Sequence, residues 1–478
     1  MKKQKDIILD PMLRNYVYAA APLVNIFEAA EGKKTVAKML MGEWMKITSP
    51  ESSILADERV KVVYRGGEGF VNSADLTRER CLEIYFLDVD QGDSILIQTP
   101  DDRRVLIDGG EDDSALSFLR NKYHLDKPDK YIDLEAVVAT HSDLDHTGGL
   151  IKILRHPQIA VKRVFHNGLF RRTLKTSDPG PRIGNRLGGL EDYPQLPGSP
   201  ELSHFMKKFI DAVKQAEKRL PRIIKKMESE RRWHNRLDLP PGGFICRRLD
   251  AADQYLPPYG KDNKYLQIKV LWPCADAAGT LPRYPSKSET VNGNSIVLKL
   301  IHGNNSVLLT GDLNEKSMDD IISHYSQAGR LDEWHSDIYK AAHHGSQHFS
   351  VPFLKLISPD AAVISSGDNR FDKHGHPSAV LLGTITRFSK IEKPAIFSTE
   401  LAACFRKLSP SQQAEFNSGH GHLYERAIQG IIHLRSNGKQ MHLGRVFGRR
   451  PPKDPHAQTL WKWDVWSKPL RNKKAAGD

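Results

Sequence analysis

Cysteine is scarce in this chain, and the four present (Cys81, Cys246, Cys274, Cys404) include no Cys-x-x-Cys pair. Their scatter excludes the disulfide framework of a small secreted scaffold and points to a reducing, cytoplasmic setting. Long apolar runs are also missing. No stretch approaches the roughly 20 uninterrupted apolar residues of a membrane helix, so a soluble protein with no membrane partner is expected. The basic start Met1-Lys2-Lys3-Gln4-Lys5 has no apolar segment behind it, because Asp6, Asp10, Pro11 and Arg14 intervene, which argues against a secretory signal. Acidic charge is outnumbered, with 58 Asp and Glu against 70 Lys and Arg, and the resulting +12 favours anionic partners such as nucleic acid or nucleotides. Hydrophobic residues at 39% exclude a disordered chain, and 478 residues call for two or three domains.

Short apolar runs broken by turns fill the first part: Thr35–Leu40, Trp44–Ile47, Val60–Tyr64 and Gly69–Val71. They predict a small β-barrel over residues 1–78. From Cys81 the runs lengthen, at Leu82–Val89, Ser94–Thr99, Val105–Asp108 and Leu134–Thr140, with a helical stretch at Ser114–Tyr123. Two blocks of strands with helices outside them predict an α+β sandwich of αββα layering over residues 79–448.

A segment of about 169–291 separates these strands from the next, at Ser295–Ile301, and a structureless loop of that length is improbable. Phe205, Phe209 and Val213 recur at helical spacing, and Pro221 is placed to start a second helix reaching Arg232. From Leu169 to Lys264 there are 20 Lys and Arg against 12 Asp and Glu. Lys207, Lys208, Lys214, Lys218, Arg222, Lys225 and Lys226 make this helical insertion the expected anion-facing surface. Near the end, Asn437-Gly438 between two apolar runs signals a hairpin. The tail, 449–478, interleaves basic residues with Trp461, Trp463 and Trp466; it suits single-stranded nucleic acid or, alternatively, simple packing onto the domain surface.

The densest chemistry is Thr140-His141-Ser142-Asp143-Leu144-Asp145-His146-Thr147-Gly148-Gly149, directly after an apolar strand. Adjacent imidazoles and carboxylates repel or desolvate badly unless a cation holds them. Carboxylate with imidazole suits zinc, manganese or iron. Asp312 follows the strand-like Ser306–Thr310, which puts a further carboxylate at a strand edge.

The run resembles the HxHxDH signature of the metallo-β-lactamase superfamily, with Asp143 in place of the second histidine. The HxDxDH variant is similar to the hydrolase domain attached to ComEC-type DNA-uptake proteins. Asp88-Val-Asp-Gln-Gly-Asp93, Val105-Leu-Ile-Asp108-Gly-Gly, Asn294-Ser-Ile-Val-Leu, Leu308-Leu-Thr-Gly-Asp312, Ala342-His343-His344-Gly345-Ser346 and His374-Gly-His376-Pro377 match in the same order. The amino-terminal part, through Gly42–Ile47 and Tyr64–Val71, resembles bacterial Src-homology-3-like domains, which implies a binding or tethering role toward a protein partner. The ComEC-type resemblance does not extend to membrane helices, so a transport role is not implied.

The superfamily pattern implies two divalent metal ions, zinc or manganese. It would place His141 and Asp143 on one and Asp145 and His146 on the other, with Asp312 bridging. His166, at the end of Val161–Phe165, would be a further ligand or a surface histidine at a strand end. His376 would supply the late ligand, while His343 and His344 would face the substrate and protonate its leaving group, an assignment open to exchange. Asp108, Ser346 and His374 would orient ligands from behind. Asp145 would orient the attacking water. With the basic insertion, this implies a metal-dependent hydrolase of phosphodiesters in nucleic acid or nucleotides. A small-molecule hydrolase for lactones, thioesters or cyclic nucleotides is the alternative, ahead of a binding protein without catalysis.

Overall fold

The computed structural model describes residues 15–48, 59–65, 67–173, 179–188, 190, 192, 202–229, 239–367, 376–405, 409–411, 414, 418, 424–428, 430–447 and 462–469. Two large sheets form its centre. The first has nine strands in the order Ile245–Arg248, Arg163–His166, Ala136–Ala139, Arg104–Ile107, Ile95–Gln98, Leu82–Phe86, Ile432–Ser436, Met441–Phe447 and Lys462–Ser467. The second has six: Gln267–Trp272, Val297–His302, Asn305–Leu309, Ile338–Lys340, Ala361–Ile364 and Ala395–Ser398.

Alternate residues of these strands meet in one core. Ile84, Ile97, Val105 and Val138 face Ile268, Leu298, Val307 and Val363. The opposite faces are covered by helices, so the inner strands are apolar on both sides and read as continuous hydrophobic runs. Helices α1 (Ser114–Tyr123), α2 (Leu144–Arg155) and α3 (His204–Ser229) cover the first sheet through Leu119, Leu150 and Phe209. After the short α4 (Lys287–Gly293), α5 (Glu315–Gln327), α6 (Val351–Ile357) and α7 (Ala379–Phe388) cover the second through Ile321, Phe353 and Ile385. The order is helix, sheet, sheet, helix, as the strand blocks imply. Among the described residues no helix is long and apolar enough to cross a membrane.

Two expectations are corrected in detail. The amino-terminal strands form an open antiparallel sheet, not a closed barrel, with Thr35–Leu40 at one edge and the two-residue Leu76–Thr77 at the other. Strand alternation sets which side chains enter the core, here Val17, Ile26, Met45 and Val62, but carries no information on whether the edges meet.

Pro221 does not start a second helix; it lies inside one helix of 26 residues. Leu220, Ile223, Ile224 and Met227 on its flanks are buried with Tyr131 and Ala160, and this packing keeps the helix running past an exposed proline.

The hairpin at Asn437-Gly438 forms, and Gly438 takes the left-handed φ of 84° that the turn needs. Of the tail, Lys462–Ser467 continues the sheet as an edge strand and Trp466 packs against the core. Trp461 and the basic residues from Arg449 to Lys453 and at Lys473 and Lys474 lie outside the described residues.

Candidate metal centre

The strand Ala136–Ala139 delivers Thr140 and His141 to the end of the first sheet, and the chain turns at once into α2 with Asp143 as its N-cap. Asp145 and His146 therefore sit in the first helical turn. The helix can approach this closely because Gly148 and Gly149 lack side chains. A Cβ on Gly149 would lie 2.0 Å from the carbonyl oxygen of Gly109. Asp108, at a φ of 55°, closes the strand beside it and is fully buried. One of its oxygens accepts from the Thr140 N–H (2.8 Å); the other accepts from the Thr140 hydroxyl (2.7 Å) and pairs with His146 Nδ1 (2.8 Å). That pairing aims His146 Nε2 away from Asp108.

From the second sheet, Asn305–Leu309 leads through Gly311, at a φ of 50°, to Asp312. Ser295 Oγ accepts from the Asp312 N–H at 3.1 Å. Asp312 Oδ2 lies 3.3 Å from His146 Nε2, 3.3 Å from His344 Nε2 and 3.9 Å from His141 Nε2. His344 Nε2 is also 3.4 Å from Asp145 Oδ2. Ligand atoms of Asp145, His146, Asp312 and His344 all fall within 4.8 Å of one another.

His343 and His344 both adopt left-handed backbone angles, φ 50° and 53°, and this consecutive pair turns the His344 ring into the cluster. Backbone strain of this kind in non-glycine residues concentrates at functional sites. His343 stays outside, its ring centre 6.0 Å from that of His344 and 5.8 Å from that of His376.

Imidazoles and carboxylates buried side by side set one another's charge here. Burial alone would push the His344 imidazole toward neutrality, yet Asp312, Asp145 and Asp93 hold it well above the ordinary histidine range. The same contest, won by Asp312, Asp108 and Asp145, raises His146. Asp312 is correspondingly held well below the carboxylate range against its own burial, chiefly by His344 and His146. Burial and the neighbouring His146 leave His141 lowered. His141 Nε2, His146 Nε2, His344 Nε2 and Asp312 Oδ1 are buried without hydrogen-bond partners among the described residues. Buried polar atoms rarely stay unpaired, and this donor set of imidazole and carboxylate suits a borderline or hard divalent cation. The residues fit such an ion.

Other residues singled out in the sequence lie around this cluster. Both oxygens of Asp143 are forked by Arg171, Nε to Oδ1 and Nη2 to Oδ2, each at 2.6 Å. His166 accepts from the Gly168 N–H through Nδ1 (3.0 Å) and pairs through Nε2 with the Asp192 carbonyl (2.8 Å), while burial lowers it to about 4. Ser346 is buried and accepts from the His348 N–H at 3.2 Å, bracing the histidine turn. His374 lies outside the described residues.

Three side chains that sequence reasoning did not assign prove central. Asp93 is buried between Lys340, which it pairs with directly, and His344, whose Nδ1 is 3.6 Å from Asp93 Oδ1. Burial would raise the Asp93 carboxyl, but Lys340 and then His344 bring it down to about 2. Asp93 stands in the quoted Asp-Gln-Gly-Asp run, and Lys340 is a lone charge ending an apolar strand; both were visible signals. Arg171 had none.

Fold and site together define the class. Residues 87–212 match the Metallo-beta-lactamase superfamily, and this domain is that of a metal-dependent hydrolase-type enzyme. Among curated proteins the chain is 37% identical over 93 residues to Competence protein ComA of Neisseria gonorrhoeae, covering 19% of this chain and 13% of that protein. It is 24% identical over 324 residues to ComE operon protein 3 of Bacillus subtilis (strain 168), covering 64% of this chain and 31% of that protein. The chain thus spans less than a third of either relative. A solved structure of CmlA, a diiron beta-hydroxylase from Streptomyces venezuelae, aligns loosely, with a TM-score of 0.33, 13% identity, and coverage of 68% of this chain and 54% of that one.

Proposed function

We propose that the chain hydrolyses phosphodiester bonds of nucleic acid or nucleotides with two divalent cations, zinc or manganese, one at the cluster of Asp145, His146, Asp312 and His344 and the other beside it at His141 and Asp143. The convergence of unpaired buried ligand atoms on one point carries this reading. Cations held there would supply Lewis acidity and lower the pKa of a water. Asp145 is the most open of the four, its side chain 21% exposed, and its Oδ2 is placed to accept a proton from an attacking water. Asp108 holds the tautomer and aim of His146. His343 has a buried Nδ1 without a hydrogen-bond partner among the described residues and is the candidate donor to a leaving oxygen.

A polyanionic substrate is favoured by α3, which packs on α2 and so lies beside the helix that carries the site. Lys208, Lys218, Arg222, Lys225 and Lys226 are exposed along it; Lys207 and Lys214 are half-buried. The competence proteins among the relatives accord with a role on nucleic acid. Free thiols at Cys81, Cys246 and Cys274 accord with a cytoplasmic setting. Exposed Leu23 and Trp44 make the amino-terminal sheet, in this reading, the surface for a protein partner.

The test offers plasmid, single-stranded DNA, RNA and cyclic nucleotides to the purified chain with manganese or zinc, and measures binding of metal-free protein against salt. Cleavage is expected, with manganese at least as effective as zinc. Four or more phosphate contacts would give a log-log salt slope of about 0.9 per contact on duplex DNA. Charge reversal at Lys207, Lys208, Lys225 and Lys226 is expected to flatten it. A flat response in the native chain, with turnover only of small esters, would replace this reading by a small-molecule hydrolase.

A further inference from the structure

Asp143 caps α2, yet its side chain makes no capping hydrogen bond to the helix. An aspartate at this position ordinarily accepts from the first-turn N–H groups. Here both oxygens instead face the guanidinium of Arg171, in the bidentate geometry that makes arginine–carboxylate pairs strong. The pair is largely shielded, with side-chain exposures of 14% for Asp143 and 38% for Arg171.

Arg171 is itself fixed by its backbone. Its carbonyl accepts from the Ser203 N–H at 3.0 Å, and Arg172 bridges Leu202, immediately before α3 begins. The insertion therefore places a permanent cation against one carboxylate of the HxDxDH run. Asp145 and Asp312 are instead faced at close range by histidines: Asp145 by His344, and Asp312 by His141, His146 and His344. The two halves of the centre differ accordingly: Asp145, His146, Asp312 and His344 already converge, whereas Asp143 beside His141 is neutralised by a fixed charge.

We propose that Arg171 is a built-in counter-ion that competes with the second cation for Asp143, so that the centre binds one divalent ion tightly and the other weakly. The proposal rests on the two-cation reading above. It makes Arg171 a positioning residue through which the insertion sets metal occupancy.

The test is calorimetric titration of metal-free protein with manganese chloride, alone and without substrate, for the native chain and for Arg171→Met, Arg171→Lys and Asp143→Asn. Two steps of unequal affinity are expected in the native chain. Releasing a charged hydrogen-bonded pair in Arg171→Met is expected to tighten the second step on the order of tenfold while the first stays unchanged. Arg171→Lys, which keeps the charge but loses the fork, is expected between the two, and Asp143→Asn is expected to lose the second step alone. Far-UV circular dichroism checks that each variant folds. An intact first step with a second step unmoved or weakened in Arg171→Met would overturn this proposal and make Arg171 a support for a ligating Asp143. Two steps of equal affinity in the native chain would overturn it as well. Absence of the first step in the native chain would overturn the hydrolase reading along with it.

Discussion

Replacing Asp312 by asparagine is expected to cost on the order of a thousandfold in the rate of phosphodiester hydrolysis, equivalent to several kcal/mol of lost transition-state stabilisation. Among the described residues, Asp312 is the one carboxylate within 4 Å of His141, His146 and His344 together. Removing its charge takes away the carboxylate that the three imidazoles share and leaves Asp145, beside His344, to draw a cation. Asp108→Asn is the informative comparison. Asp108 touches His146 from behind through Nδ1, so its loss disturbs aim and tautomer and not ligation itself. Support residues of this kind typically cost 10–100-fold. Steady-state rates for the two variants, with circular dichroism to show that both fold, check the ranking. Equal losses would mean that Asp312 is not a ligand.

The second large effect is on stability. Lys340 is fully buried at the end of its strand, against a buried Asp93, and the two are 247 residues apart in sequence. Breaking a buried pair by removing one partner strands the other charge, at about 3–5 kcal/mol. Lys340→Met is therefore expected to lower the unfolding free energy by about that amount. The double variant Lys340→Met with Asp93→Asn is expected to recover a large part of it, because no unpaired charge remains. Urea denaturation of the four species closes the cycle, and strict additivity would remove the pair from the account. The pH dependence carries the same sign. Because the Asp93 carboxyl is held down from 3.8 to about 2 in the fold, its contribution is complete above the ordinary carboxylate range and disappears as pH falls through that interval.

Features confined to a short stretch of chain were legible in the sequence. α1 spans Ser114–Tyr123 as its periodicity predicts, the Asn437-Gly438 hairpin forms, and the run His141–His146 sits where strand turns into helix. What could not be read depends on tertiary partners. Which histidine of His343-His344 points inward follows from two left-handed backbone angles, and these are fixed by the turn between the Ile338–Lys340 strand and α6. His344 enters the cluster and His376 lies beside His343, an arrangement that sequence spacing left open. The fork of Arg171 on Asp143 and the pairing of Lys340 with Asp93 join residues from separate elements, so no local pattern announces them. Pro221 misled for the opposite reason. A local signal for the start of a new helix was overridden by Leu220, Ile223 and Ile224 packing on Tyr131 and Ala160.

Metal content tests the central claim most directly. After removal of metal and reconstitution with manganese or zinc, elemental analysis of the desalted native chain is expected to give at least one equivalent of cation, falling to a small fraction in Asp312→Asn and in His344→Ala while both variants remain folded. Native protein that retains no metal, or variants that retain as much as the native chain, would contradict the assignment of this cluster as the metal centre.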